Sequence, residues 1–213
     1  MIQRALKWTI DRIAAAVLLV LLSPLLLGAA LWILVDDGRP VVFRQRRAGK
    51  NGRPFGMLKF RTMVNNATQI GLESGLTDDP FGVLPDDPRI TRSGRFLRRF
   101  NLDELPQLWN VLVAQMSLVG PRPDVVEQVA NYEPADRERL AVLPGITGLA
   151  QVEGRDEIPW EQRFELDKQY IRNWSLALDA KILWRTVFEF GRPEPRPIED
   201  RLNVERAKAA NRN

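Results

Sequence analysis

The chain has 213 residues, with 31 Lys and Arg against 27 Asp and Glu for a net charge of +4, and it holds neither histidine nor cysteine. Without imidazole or thiolate there is no Ser-His relay, no Cys nucleophile, no Cys/His zinc site and no disulfide scaffold, so demanding chemistry falls to carboxylates, lysines, hydroxyls or a hard metal ion. The length suits one globular domain plus an appendage, and the basic excess points to polyanions.

From Ile13 to Val35 no residue is charged. At about 1.5 Å per residue, a helix of that length reaches across the ~30 Å hydrocarbon layer of a bilayer. Its apolar core is too long for a cleaved signal peptide, and no small-residue cleavage site follows. Pro24 lacks the N–H that would bond the carbonyl of Val20, and Ser23 is placed to back-bond to the carbonyl of Leu19, so a bend is expected at Ser23-Pro24. A kinked spanning helix is one reading, since proline is tolerated there. The flanks favour another: Arg4, Lys7 and Arg12 precede the segment, and Arg39, Arg44, Arg46, Arg47, Lys50 and Arg53 follow it. Both ends thus carry the charge of the cytoplasmic side and suit anionic lipids, as expected of a segment that enters, turns and leaves on one face. No helix-turn-helix or other nucleic-acid reading element is present, so nucleic acid is not an expected partner.

Residues 39–63 read as β structure, with Gly49-Lys50-Asn51-Gly52 as a hairpin turn. Neither a P-loop nor a Gly-x-Gly-x-x-Gly fingerprint occurs. Residues 64–90, rich in Gly and Pro among acids, read as a loop. Thr91 to Phe100 is expected to be helical, with Phe96, Leu97 and Phe100 on one face and Arg92, Arg95, Arg98 and Arg99 on the other. A second helix is expected from Asp103 to Val113, with Leu105, Leu108, Trp109 and Leu112 as its apolar stripe.

The start of that second helix admits two readings. Asn101 as N-cap with Glu104 as its capping-box partner would make the acids structural, but Pro106 would then delete a needed bond beyond the first turn. A start at Asp103 puts Pro106 where the N–H is unpaired anyway, and leaves the Asp103 carboxylate with free lone pairs at the positive end of a helix dipole. Further on, Pro121-Arg122-Pro123 holds one guanidinium on a stiff backbone suited to bidentate capture of a phosphate. Pro144-Gly145-Ile146-Thr147-Gly148 reads as a turn. Residues 160–190 read as amphipathic helices whose Trp and Tyr among Lys and Arg suit a head-group layer, and the tail from Arg192 as weakly ordered.

Five blocks in order, Lys59-Phe60-Arg61-Thr62-Met63, Asp87-Pro88-Arg89-Ile90-Thr91, Leu102-Asp103-Glu104-Leu105-Pro106-Gln107, Ser117 to Pro123, and Pro144 to Gly148, closely resemble the bacterial sugar transferase family, the monotopic phosphoglycosyl transferases. The resemblance implies an α+β fold: a re-entrant membrane helix over 1–38 broken at Ser23 and Pro24, a catalytic domain over 39–190 with a short β-hairpin and interfacial helices, and a tail over 191–213. It implies transfer of a sugar 1-phosphate from a UDP-sugar to polyprenyl phosphate, such as undecaprenyl phosphate, at the cytoplasmic face of the bacterial inner membrane, with release of UMP. Asp103 aligns with the nucleophile, Glu104 with its acidic partner, both as candidate Mg²⁺ ligands. Arg122, Lys59, Arg61 and Arg89 fall at phosphate-binding positions. The chain resembles the minimal catalytic form, and homo-oligomers are compatible with it. Two rivals stand beside this: a Mg²⁺-dependent lipid phosphatase, and a non-enzymatic basic scaffold at the membrane surface.

Overall fold

The computed structural model describes residues 2–73, 87–154 and 158–189. Two helices open the chain, α1 (Ile2–Leu21) and α2 (Ser23–Asp37), and they meet at a bend of 62°. Pro24 sits in the first turn of α2, where its missing N–H costs no bond. The carbonyl it leaves free at Val20 is taken by the Ser23 hydroxyl at 2.7 Å. The back-bond therefore goes to Val20, one residue on from the Leu19 expected, because the chain leaves helical geometry at Leu22 and Ser23 already belongs to α2. Among the described residues no single helix is long and apolar enough to cross a membrane, whereas the bent pair together is.

The hairpin forms as the turn residues require: β1 (Val42–Ala48) pairs antiparallel with β2 (Pro54–Phe60), Val42 opposite Phe60 and Ala48 opposite Pro54. Asn51 and Gly52 both take positive φ in the turn between them. Helix α3 (Ala67–Glu73) lies where a loop was expected, and residues 74–86 of that expected loop are outside the described part. Helix α4 (Arg92–Arg99) starts at Thr91, whose hydroxyl accepts from Gly94 N at 2.9 Å. Gly94 allows α4 to lie against Thr62, since a Cβ there would come within 2.1 Å of the Thr62 carbonyl oxygen.

Instead of one helix from Asp103, the chain makes a single 3-10 turn over Leu102–Glu104, then α5 (Gln107–Leu112). Asn101 is left-handed and makes no side-chain cap, which removes the capping-box reading. Pro106 stands at the N-cap of α5, so its ring needs no donor. The buried face of α5 is Gln107, Leu108, Asn110 and Val111, and Trp109 is exposed. The expected stripe is rotated because the helix starts later and packs on α1 and β2 at once.

Beyond α5, β3 (Ser117–Val119) pairs in parallel with β4 (Gly145–Thr147), with α6 (Val126–Ala130) between them. Helices α7 (Leu149–Glu153), α8 (Trp160–Arg172) and α9 (Leu176–Glu189) close the domain. One apolar core joins α1, α5, β3, α7, α8 and α9 through Ala15, Val111, Val119, Tyr170 and Ile182. A smaller one joins α2, β2 and α4 through Ile33, Phe60 and Leu97. The result is helix-rich α+β with two small sheets. On α9, Trp184 and Phe188 stay exposed and meet edge to face with ring centres 4.9 Å apart. The tail from residue 190 lies outside the described residues.

Both arms of the bent pair are tied to the same body. On α1, Lys7 Nζ lies 2.8 Å from Asp179 and 3.4 Å from Asp11, and Asp11 accepts from the Ser117 hydroxyl at 2.6 Å. At the end of α2, Asp36 accepts from Ser93 N at 2.8 Å, and Asp37 pairs with Arg61 at 2.9 Å.

Candidate active site

Glu104, at the end of the 3-10 turn, is the hub. Lys59 of β2 reaches Glu104 Oε1 at 2.9 Å, and Arg122 Nη2 reaches the same oxygen at 2.8 Å. Burial alone would push the Glu104 carboxyl up, but Arg122 and then Lys59 outweigh it and hold the group well below the usual carboxylate range. The ionised form of Glu104 is therefore favoured, and it fixes two cations whose charge it only partly cancels.

Asp103, the preceding residue, is the more buried of the two, yet among the described residues its carboxylate accepts no hydrogen bond. Burial pushes its carboxyl above the ordinary value; Lys59 pulls the other way and the Glu104 charge adds to the rise. A carboxylate with unengaged lone pairs in a poorly hydrated place is a better nucleophile than one held by donors. Arg98 of α4 and Arg122 also act on it through space.

A cavity of about 180 Å³ opens beside this group. Glu104 and Arg122 line one part of it; Leu105, Leu108, Ile146, Thr147, Ala150, Gln151, Trp160, Arg163 and Thr186 line the rest, with Asp124, Arg139 and Asp167 between. Asp103 is adjacent to Glu104 in the chain and is not itself part of the lining.

A family profile described as bacterial sugar transferase matches residues 2–192. The chain belongs to that family. It is 43% identical over 182 residues to the uncharacterized sugar transferase EpsL of Bacillus subtilis, covering 85% of each. It is 41% identical over 192 residues to the undecaprenyl-phosphate galactose phosphotransferase of Salmonella typhimurium, which covers 86% of this chain and 40% of that protein. With the UDP-glucose:undecaprenyl-phosphate glucose-1-phosphate transferase of Escherichia coli it shares 41% over 204 residues, 88% of this chain and 40% of the relative. The chain thus spans about two fifths of the length of those last two relatives.

Of the six residues that the sequence marks for chemistry in this sugar transferase, the fold brings Lys59, Asp103, Glu104 and Arg122 together. It engages the other two elsewhere. Arg61 is buried, and its guanidinium donates to the carbonyls of Asp37 and Gly38 at 2.7 and 2.9 Å, closing the end of α2. Arg89 is almost wholly buried and forks onto Asp87, with Nη2 2.8 Å and Nε 3.1 Å from the carboxylate.

Several residues at the site were not singled out from the sequence. Asn110, 1% exposed, accepts from Leu58 N at 3.0 Å and donates to Gly56 O at 2.8 Å, so its amide serves the open edge of β2 as a third strand would. Asp124, Tyr132, Arg139 and Asp167 form a buried polar cluster behind Arg122. Only the position of Asp124 right after Pro123 hinted at it, since Arg139 stands in a charged run that looks like any solvated surface.

No group of three or more acids that could cage a metal occurs among the described residues. Mg²⁺ does not need one, because it commonly binds through one or two carboxylates and completes its octahedron with water and substrate phosphates. The unengaged oxygens of Asp103, with Glu104 beside it, fit that donor set.

Proposed function

We propose that this chain transfers a sugar 1-phosphate from a UDP-sugar to polyprenyl phosphate, undecaprenyl phosphate in particular, at the cytoplasmic face of the bacterial inner membrane. The observation that carries the reading is the pairing of an acid that accepts no hydrogen bond among the described residues, Asp103, with an acid gripped by Lys59 and Arg122, at the edge of a cavity. The relatives named as undecaprenyl-phosphate transferases support the acceptor and the reaction class.

In this reading Lys59 and Arg122 receive the donor diphosphate, Arg122 turning part of its charge from Glu104 to the phosphate. An Asp103 oxygen attacks the phosphorus bonded to the sugar. The new P–O bond forms as the diphosphate bridge breaks, so UMP leaves and a sugar-phosphoryl aspartate remains. An oxygen of the lipid phosphate then attacks the same phosphorus and expels the Asp103 carboxylate. One anhydride replaces another, so no ATP is consumed. Mg²⁺, held by Asp103 and Glu104, would neutralise diphosphate charge when bound.

The re-entrant course of α1 and α2 belongs to the same proposal. From Asp11, bonded into the catalytic domain, to the bend at Leu22 the helix rises only about 16 Å, roughly half the hydrocarbon thickness. Because α2 returns to the same body through Asp36 and Asp37, both ends belong on one side of the bilayer.

Intact-protein mass spectrometry after exposure to a panel of UDP-sugars with Mg²⁺ tests the chemistry. The expected mass gain is one phosphosugar, with UMP released before any lipid is added, and Asp103→Asn abolishes it. UMP that appears only when donor and lipid are both present would refute the covalent step, and free phosphate in place of UMP would favour a phosphatase. Single-cysteine labelling tests the topology: residues 3–10 and 39–53 should label from the cytoplasm alone.

A further inference from the structure

The Pro121-Arg122-Pro123 loop contributes few donors of its own, since two of its three residues lack an N–H. What holds it are its carbonyls, whose partners come from β1, β4 and the 3-10 stretch that carries Arg139. Pro121 O accepts from Gly145 N at 2.9 Å, Pro123 O from Arg47 Nη1 at 3.1 Å, and Asp124 O from Ala48 N at 2.9 Å. The carbonyl of Arg122 itself accepts from Arg139 Nη2 at 3.2 Å. Arg139 lies 17 residues downstream, in a 3-10 stretch over Asp136–Ala141.

Arg139 is in turn immobilised on every side. Its Nε and Nη2 face Asp167 Oδ2 of α8 at 3.0 and 2.7 Å, and its Nη1 donates to Asp124 and to the Tyr132 hydroxyl. Its guanidinium lies 4.3 Å from the ring centre of Phe164. Tyr132 donates to Asp124, and its ionisation is pushed far up by burial, with Asp124 adding to the rise, so that proton stays in place. Burial opposes the charge on Arg139, but Asp124 and Asp167 outweigh it and raise its pKa above the ordinary value. A buried ion cluster of this kind is not an efficient source of stability, since a well-packed apolar substitute often does as well. It does fix geometry, because all three guanidinium nitrogens of Arg139 have oxygen partners on different parts of the fold.

We infer that Arg139 is the positioning residue of the phosphate site: clamped by Asp124, Tyr132 and Asp167, it sets the backbone from which Arg122 reaches the donor diphosphate. Arg139 touches neither the donor's phosphorus nor Asp103 in this assignment and acts through Arg122. It rests on the reading of Arg122 as a phosphate ligand, and the experiment separates the two. If Arg122→Ala leaves UMP release by the full-length protein in nanodiscs unchanged, the reading of Arg122 fails, and the inference falls with it. If Arg122→Ala is impaired, the inference is tested by a double-mutant cycle.

Arg139→Lys keeps the charge between the two aspartates but has no second nitrogen to span them and the Arg122 carbonyl. Misplacing a substrate-binding group by about 1 Å costs up to ~100-fold in rate. The expected result is a fall in kcat/KM for the UDP-sugar of about 10- to 100-fold, and less than about twofold further loss when the same change is made in the Arg122→Ala background. A purely structural role would lower the melting temperature and reduce active protein in both backgrounds alike. Losses that multiply across the two sites, or an Arg139→Lys enzyme within about twofold of the unmodified protein, would overturn the inference. Should Arg139→Lys fail to fold, Tyr132→Phe, which deletes one oxygen of the clamp, goes through the same cycle. A smaller loss that vanishes without Arg122 supports the inference; an unchanged rate, or a loss that persists without Arg122, overturns it.

Discussion

Replacing Asn110 by alanine should unfasten the catalytic pair from the hairpin that serves it. Three hydrogen bonds go with the amide: Leu58 N to Oδ1 at 3.0 Å, Nδ2 to Gly56 O at 2.8 Å and Nδ2 to Gln115 Oε1 at 2.7 Å. The side chain is 1% exposed, so water cannot replace it without opening the contact between α5 and β2. At about 1 kcal/mol net per bond the loss is about 3 kcal/mol. For a domain of this size each kcal/mol shifts the midpoint by roughly 2–4 °C, so a drop of about 6–12 °C is expected. Thermal unfolding in nanodiscs, followed by tryptophan emission, measures it. Activity should fall in parallel, because Lys59 follows Leu58 directly and its reach to Glu104 depends on where β2 lies. A shift below about 2 °C with full activity would refute the claim that this amide carries the edge of the hairpin.

Asp103→Asn should abolish the phosphosugar adduct and still stabilise the fold. The folded pKa of Asp103 lies above its ordinary value, so its contribution is fully present below that ordinary value and lost as pH rises through the raised one. The variant should therefore gain in melting temperature relative to the unmodified protein as pH rises from about 4 to 8. Burial likewise pushes the Asp167 carboxyl up to about 6, with Arg139 pulling the other way. The sign is the same, and about two pH units correspond to about 3 kcal/mol. The melting temperature should fall as pH rises from about 4 to about 6 and level off above that, and Asp167→Asn should remove the fall. Lys7→Met leaves Asp11 and Asp179 facing one another unneutralised, which should cost about 3–5 kcal/mol, and adding Asp11→Asn should recover part of it.

Features written in local chemistry were legible in advance. The turn at Gly49-Lys50-Asn51-Gly52 needed positive φ at two places and had residues that accept it. The Ser23-Pro24 break followed from one missing N–H, although the identity of the rescued carbonyl depended on where the first helix ended. The 3-10 turn at Leu102–Glu104 was half visible: Pro106 excluded a continuous helix from Asn101, but nothing local said that the helix would wait until Gln107. Roles set by distant partners were not legible. Arg61 and Arg122 look alike as arginines in motifs, yet one closes a helix end 24 residues earlier in the chain and the other grips an acid 18 residues earlier. Trp109 looked like core and is exposed, because α5 must satisfy two neighbours and turns polar Gln107 and Asn110 inward.

The tie from Asp11 to Ser117 has a practical side. Removing an apolar N-terminal helix pair is the usual route to a water-soluble fragment, but here a cut at the bend would also pull out Ala15, which is 0% exposed, together with Lys7 and Asp11. The remainder would be left with an open trough along α5 and a stranded Asp179. Purification and crystallisation should therefore keep the first helix and supply its exposed apolar face with detergent or lipid, because that helix is one wall of the main core.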